Sequence, residues 1–132
     1  ADRVLVLHEG VLGEDGTHWA HGLVFDDDGK LLITEFSRGR LERWDLESNE
    51  RVEVLLDSDQ AGAYLKLERG PDGLVYMAGA DGIYQFDSRA KAADLANLKP
   101  FFDAGQLAAR YSEPFSPAGI VVVPRASLGA PR

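Results

Sequence analysis

The chain has 132 residues, enough for one domain with a buried core, and its apolar fraction of 45% is ordinary for a globular protein. Its 22 acidic residues outnumber 14 scattered basic ones, for a formal charge of −8, which argues against a phosphate backbone and so against nucleic acid as a partner. No apolar run approaches the roughly 18 residues of a transmembrane segment, and the lack of cysteine excludes disulfides, zinc–thiolate sites and a thiol nucleophile.

In chain order, Arg3-Val4-Leu5-Val6-Leu7 reads as a strand. An acidic, glycine-rich connector follows, with Glu9-Gly10 and Glu14-Asp15-Gly16, and leads to His18, Trp19 and His21. Gly22-Leu23-Val24-Phe25 is a short apolar run that meets Asp27-Asp28-Gly29, a tight-hairpin signal because glycine accepts positive φ. Lys30 to Thr34 and Gly39 to Asp45 supply two more strands, and Glu50 to Leu56 a fourth that alternates as a half-exposed edge should. Tyr64 to Leu67, Leu74 to Ala78 and Asp81 to Asp87 repeat the first three around Pro71-Asp72-Gly73. Ser88 to Asn97 is rich in helix formers and predicts a helix, and Gln106 to Arg110 one more turn. Leu98-Lys99-Pro100-Phe101-Phe102 reads as the second fourth strand, with Pro100 tolerated on an edge. Pro117 to Pro124 resembles a first strand again, and Ala126 to Arg132 a disordered tail.

These runs align with themselves. The Gly73 turn lies 44 positions after the Gly29 turn, and the later strands lie 42 apart, so the second copy has the shorter loop. A period in the forties with four strands per unit is the pattern of propeller blades. The fold expected is all-β: a partial β-propeller of about two full four-stranded blades plus flanking strands over residues 1–125. Blade-like units fall at about 21–57 and 64–105, flanking strands at 3–9 and 118–124, and a tail at 126–132. An innermost strand should be small, apolar and buried on both faces, as Ile120 to Val123 would suit. A single irregular antiparallel sheet or a sandwich is the competing architecture. Closure takes four to eight blades, so completion by another chain, by self-association or by further sequence is expected.

The pattern Gly22-Leu23, Asp27-Asp28-Gly29, Leu32-Ile33-Thr34-Glu35, Gly39-Arg40-Leu41 and Trp44-Asp45 resembles repeats of the NHL, SMP-30/gluconolactonase and streptogramin-lyase-like propellers, over roughly residues 3 to 124. The last resemblance implies a role for His21 and Glu35 as an acid–base pair beside a magnesium ion at the channel mouth. Leu32 and Ile33 replace the aromatic residues usual before Thr-Glu, and Gly39-Arg40-Leu41 stands where Asn-Arg-Ile is usual. Only the first unit carries the pair.

His18, Trp19 and His21 lie on the loop entering the first strand, where a propeller binds ligands. A neutral imidazole near a carboxylate could act as a base, and Glu35 could orient it or hold a divalent cation, magnesium or calcium. Arg38, Arg40 and Tyr64 complete the ligand-mouth candidates. The plainer alternative is a pair of solvent or interface histidines with Glu35 paired to Arg38 or Arg40. Asp26-Asp27-Asp28-Gly29 begins like a calcium loop, but its twelfth position is Ser37, so a hairpin turn with solvated carboxylates is expected. Tyr64, Lys66, Arg69 and Tyr76 could make a mixed aromatic–basic patch, or divide between packing and rim. The functional expectation is a binding or assembly module with a protein partner. The alternative is part of a lactonase-like or lyase-like propeller enzyme. The chain opens at Ala1 without methionine or an apolar leader-like run, which fits a trimmed mature N-terminus or an artificial boundary. The absence of cysteine leaves the compartment open, with a periplasmic or secreted one the expectation.

Overall fold

The computed structural model describes residues 20–103, 105 and 106. They form two four-stranded antiparallel sheets and almost no helix. The first sheet holds β1 (Ala20–Phe25), β2 (Leu31–Glu35), β3 (Arg40–Asp45) and β4 (Glu50–Asp57) in that spatial order. The second holds β5 (Tyr64–Arg69), β6 (Leu74–Gly79), β7 (Gly82–Asp87) and β8 (Phe102–Asp103), again in chain order. No closed barrel forms among the described residues, and no helix there is long and apolar enough to cross a membrane.

The repeat is visible in the turns. Gly29 and Gly73 both sit at φ +82°, and their N–H groups donate to Asp26 O and Gly70 O respectively. Asp26 N donates to Lys30 O at 2.8 Å, and Gly70 N to Leu74 O at 2.9 Å. The same backbone path is therefore built twice, 44 residues apart. Register repeats as well: Leu23 faces Ile33 and Leu31 faces Trp44 in the first sheet, where Leu67 faces Met77 and Val75 faces Phe86 in the second.

The core lies between the sheets. Leu32, Leu41 and Leu55 of the first sheet belong to one buried cluster with Leu67, Val75, Met77, Tyr84 and Phe86 of the second. The sheets meet along their leading strands, where β1 and β2 both touch β5. Gly22 allows the closest approach, for a Cβ there would stand 2.4 Å from Leu65 O and 2.8 Å from Leu67 N. The Thr34 hydroxyl accepts from Gly22 N at 2.7 Å and donates to Leu65 O, so one side chain joins both sheets. At the other margin β4 is met by a 3₁₀ helix, Ala92–Leu95, which adds Leu95 to the core alongside the nearby Ala90.

Four expectations need correction. The helix over Ser88 to Asn97 is only that single 3₁₀ turn. Arg89 N donates to Asp87 Oδ1, a local turn bond that competes with helix over Ser88 to Ala90, and Lys91 N donates to Asp94 Oδ2 in a capping box that starts the short helix only at Ala92. The alternation of β4 is broken, because Leu55 and Val52 are extra residues at two irregularities against β3, and Val52 is exposed. β1 is not buried on both faces: Leu23 is 55% and Phe25 48% exposed, while β2 is buried along its whole length. The second fourth strand is also shorter than expected, covering only Phe102–Asp103. The strands at 3–9 and 118–124, the connector before Ala20 and the tail at 126–132 lie outside the described residues, as do 107–110 of the last expected turn.

Candidate functional site

Antiparallel order sends chain direction back and forth, so each sheet has a hairpin-turn end and a loop end. The loop end collects the starts of β1, β3, β5 and β7 with the finishes of β2, β4 and β6. His21, Glu35, Arg38, Arg40 and Tyr64 therefore come to the same end of the two sheets, although up to 43 positions separate them. His18 and Trp19 lie outside the described residues.

Within that end the side chains divide. Ala20 faces Glu35 and Gly22 faces Thr34, which leaves His21 at an irregularity in the ladder. Its exposed imidazole stacks on Phe36, with centroids 6.2 Å apart and planes at 24°. Glu35 is 1% exposed. Its Oε1 accepts from Ser37 N at 2.7 Å and its Oε2 from Arg38 N at 3.0 Å, so its carboxylate braces the turn that follows β2. Arg40 Nε donates to Asp57 Oδ2 at 3.1 Å across the β3–β4 pair. Of the expected arginine partners for Glu35, Arg38 meets it through the main chain, and Arg40 is directed to Asp57.

The connector Ser58 to Ala63 is bound onto this end. Ser58 N donates to Gly39 O, Gly62 N to Phe36 O and Ala80 N to Ala63 O, between 2.9 and 3.1 Å. Gly39 is at φ +65°, and a Cβ there would lie 2.0 Å from Gln60 O, so the loop closes only over glycine. Tyr64 meets Tyr84 edge-on, at 6.0 Å and 78°. Burial, then the nearby Asp81, raise both phenols above their ordinary range, and that of Tyr84 is pushed up to about 12. Both remain protonated donors at neutral pH. The arrangement offers an exposed imidazole–phenyl stack, two phenols and the half-exposed Arg38, a set suited to holding a ligand or a peptide segment.

The aromatic–basic patch does not form. Tyr64 and Arg69 occupy opposite ends of β5, and Lys66 is exposed. Arg69 donates to Phe25 O at 2.9 Å and to the Asp27 carboxylate, which that bond holds below the usual carboxylate range. Tyr76 donates to Asp72 Oδ2.

The hairpin-turn end holds a group that the motifs did not announce. Asp26, expected in a turn of solvated carboxylates, is 5% exposed. Its Oδ1 accepts from Asp28 N and Lys30 N, both at 2.8 Å, and its Oδ2 from Arg43 Nε at 3.1 Å. Arg43 also donates to Glu53 Oε1 at 3.0 Å and to Ser88 O at 2.6 Å. Ser88 Oγ in turn accepts from Asp27 N. This buried clasp crosses from one sheet to the other. Its only sequence trace is an arginine at an inward position of β3, which reads as an ordinary rim residue. Among the described residues, no three of His, Asp and Glu gather closely enough to hold a metal ion. No protein-family model matches the chain, and no curated protein or solved structure matches it either.

Proposed function

We propose that the chain is an arc of a β-propeller of NHL or SMP-30 type that serves as a binding or assembly module, with a protein partner, a further copy or further sequence covering its outward faces. The observation that carries this reading is the contact between leading strands: two consecutive four-stranded meanders touch through β1, β2 and β5. Blades around an axis pack this way. The two sheets of the described residues fall short of the four or more that closure takes. Leu23 and Phe25 on one outward face, and Phe101 near β8, are exposed large apolar side chains of the kind that partners cover. The loop end, with His21, Phe36, Arg38 and Tyr64, would be the ligand mouth.

Light scattering coupled to size exclusion tests the reading. A defined oligomer or a stable complex with another protein is expected. A folded, soluble monomer of 14.4 kDa would overturn it in favour of a self-contained pair of sheets.

A second reading, part of a propeller hydrolase or lyase assisted by magnesium or calcium, draws on the gathering of His21 and Glu35 at one end. It is weaker because both Glu35 oxygens already accept main-chain N–H groups, which ties the carboxylate to its turn. Glu35→Gln in the assembled protein separates the two readings: the enzyme loses turnover while the assembly persists.

A further inference from the structure

Buried hydroxyls normally find a partner, so an unpartnered one calls for an explanation. Tyr84 is 6% exposed. Among the described residues its hydroxyl neither donates nor accepts a hydrogen bond, and the half-buried Tyr64 hydroxyl beside it is free as well. Tyr76, on the other face of the same sheet, gives the contrast: it is more exposed, yet its hydroxyl is held by Asp72.

The backbone aims Tyr84 at the loop end. Its ladder partner is Met77, but its ring reaches further along β6, so that a Cβ at Gly79 would stand 3.0 Å from ring carbon Cε2. Gly79 ends β6, and a turn of two residues follows. Ala80 N in that turn donates to Ala63 O at 3.1 Å, which ties the turn to the residue before Tyr64. Asp81 comes next, exposed, with no hydrogen bond or ion pair to its carboxylate among the described residues. After burial, its charge is the next cause that raises both phenols.

Two neutral O–H donors and one acceptor-only carboxylate therefore gather at the junction of the sheets without satisfying one another. A bridging group must accept from the phenols and donate to the carboxylate. An ammonium has no lone pair to offer, so it leaves the buried phenol proton unpaired. A carboxylate accepts well but meets the charge of Asp81, in a chain of formal charge −8. A neutral amide answers both needs: its carbonyl oxygen has two lone pairs for the phenols, and its N–H serves Asp81. The His21–Phe36 stack offers an apolar plate on the same connector, since a Cβ at Gly62 would lie 3.4 Å from Phe36 Cε2.

We infer that Tyr84, Tyr64 and Asp81 form a recognition site for an uncharged amide group of a peptide segment, with the Tyr84 hydroxyl donating to its carbonyl and Asp81 accepting from its N–H. The inference rests on the reading of the loop end as a ligand mouth and names the chemistry that this mouth takes.

The test titrates the 132-residue chain with N-methylacetamide and follows the Tyr84 and Tyr64 ring signals by NMR. N,N-dimethylacetamide, which has no N–H, should bind about ten-fold more weakly or not at all, and so should methylammonium, acetate and methanol. Asp81→Ala and Tyr84→Phe should each weaken N-methylacetamide by a similar factor, whereas Asp72→Ala at the opposite end should not. Urea unfolding separates recognition from structure. A hydroxyl without a partner contributes nothing to the fold, so Tyr84→Phe should unfold at the wild-type urea concentration or higher. Absent binding, equal binding of the dimethyl analogue, or preference for methanol, methylammonium or acetate would overturn the inference. A Tyr84→Phe variant that binds like the wild type would also do so, as would one that unfolds at clearly lower urea, the sign of a hydroxyl engaged by a buried water only. The mass measurement keeps the two readings apart: a defined oligomer that ignores the amide retains the assembly reading alone, and a monomer that binds it retains the amide site alone.

Discussion

The guanidinium of Arg43 donates to the carbonyl oxygen of Ser88 at 2.6 Å, although 45 residues separate the two. Arg43 lies in the third strand of the first sheet, and Ser88 directly follows the third strand of the second. Asp26 and Glu53 hold the other nitrogens from the side of the first sheet. A planar group with five donors can satisfy three acceptors set at fixed angles, and so it fixes how one sheet lies on the other. Ala92 N donates to Glu53 Oε2 and Asp27 N to Ser88 Oγ, which extends the same seam.

Replacing Arg43 with Met leaves Asp26 buried without its cation. The expected loss is about 3 kcal/mol, the scale for breaking a buried pair by removing one partner. Arg43→Lys should recover little, since an ammonium cannot span Asp26, Glu53 and Ser88 at once. Urea unfolding followed by circular dichroism reads both. A loss below about 1 kcal/mol for Arg43→Met would mean that the apolar core alone orients the sheets.

Gly22→Ala should be more damaging than Gly29→Ala, although both add one methyl group. At Gly22 the new carbon meets main-chain atoms of β5 at 2.4 and 2.8 Å, so the sheets must separate. Such overpacking costs about 1–3 kcal/mol. At Gly29 nothing lies within 4 Å, and only the positive φ is penalised, by about 1 kcal/mol. Thermal unfolding of the two variants side by side decides it, and equal shifts would contradict the close approach.

How much could be read beforehand follows from these residues. The two meanders were legible because Asp28-Gly29 and Asp72-Gly73 are local signals, and a turn that needs positive φ marks its glycine wherever the strands go. The clasp was not legible, because Arg43 matters through Ser88, and no local rule links positions 45 apart. Within Thr34-Glu35, resemblance directed attention to the carboxylate. The structure gives the hydroxyl the bridge between sheets and the carboxylate the turn. Helix propensity over Ser88 to Asn97 was overridden by Asp87, whose carboxylate takes Arg89 N into a turn, by the Lys91–Asp94 capping box that starts the helix only at Ala92, and by the burial of Ala90 and Leu95. The exposure of Leu23 and Phe25 could not be read from their strand pattern, since alternation predicts a face and not what lies on it.

Thr34→Val removes the hydroxyl and keeps the shape. Gly22 N then loses its acceptor and Leu65 O its donor in a buried seam. Leaving such groups unsatisfied costs about 1–3 kcal/mol each at most, so a combined loss of about 2–3 kcal/mol is expected. Thr34→Ser keeps both bonds and should lose far less. Hydrogen exchange at the Gly22 amide gives a local reading, which should accelerate in the valine variant only. Unchanged exchange there would show that the bridge contributes nothing to the seam between the sheets.

Tyr84 sets the behaviour of the protein in alkali. Burial, then the charge of Asp81, then Tyr64 beside it push its phenol up to about 12 from an ordinary 10.0. Below pH 10 the group is neutral folded or unfolded, and the stabilisation that goes with the raised value is fully present. Between 10 and about 12 the unfolded chain releases this proton more readily than the folded one, so stability falls as pH rises. Tyr64, also raised by burial first and by Asp81 and Asp57 after it, adds to the same fall. Ultraviolet titration of the wild type against Tyr84→Phe isolates the phenol, and Asp81→Asn should bring its midpoint down by removing the nearby negative charge. A midpoint near 10 in the wild-type difference spectrum would mean that water reaches the Tyr84 hydroxyl freely, and the edge-on contact with Tyr64 would then be too loose to form a wall of the loop end.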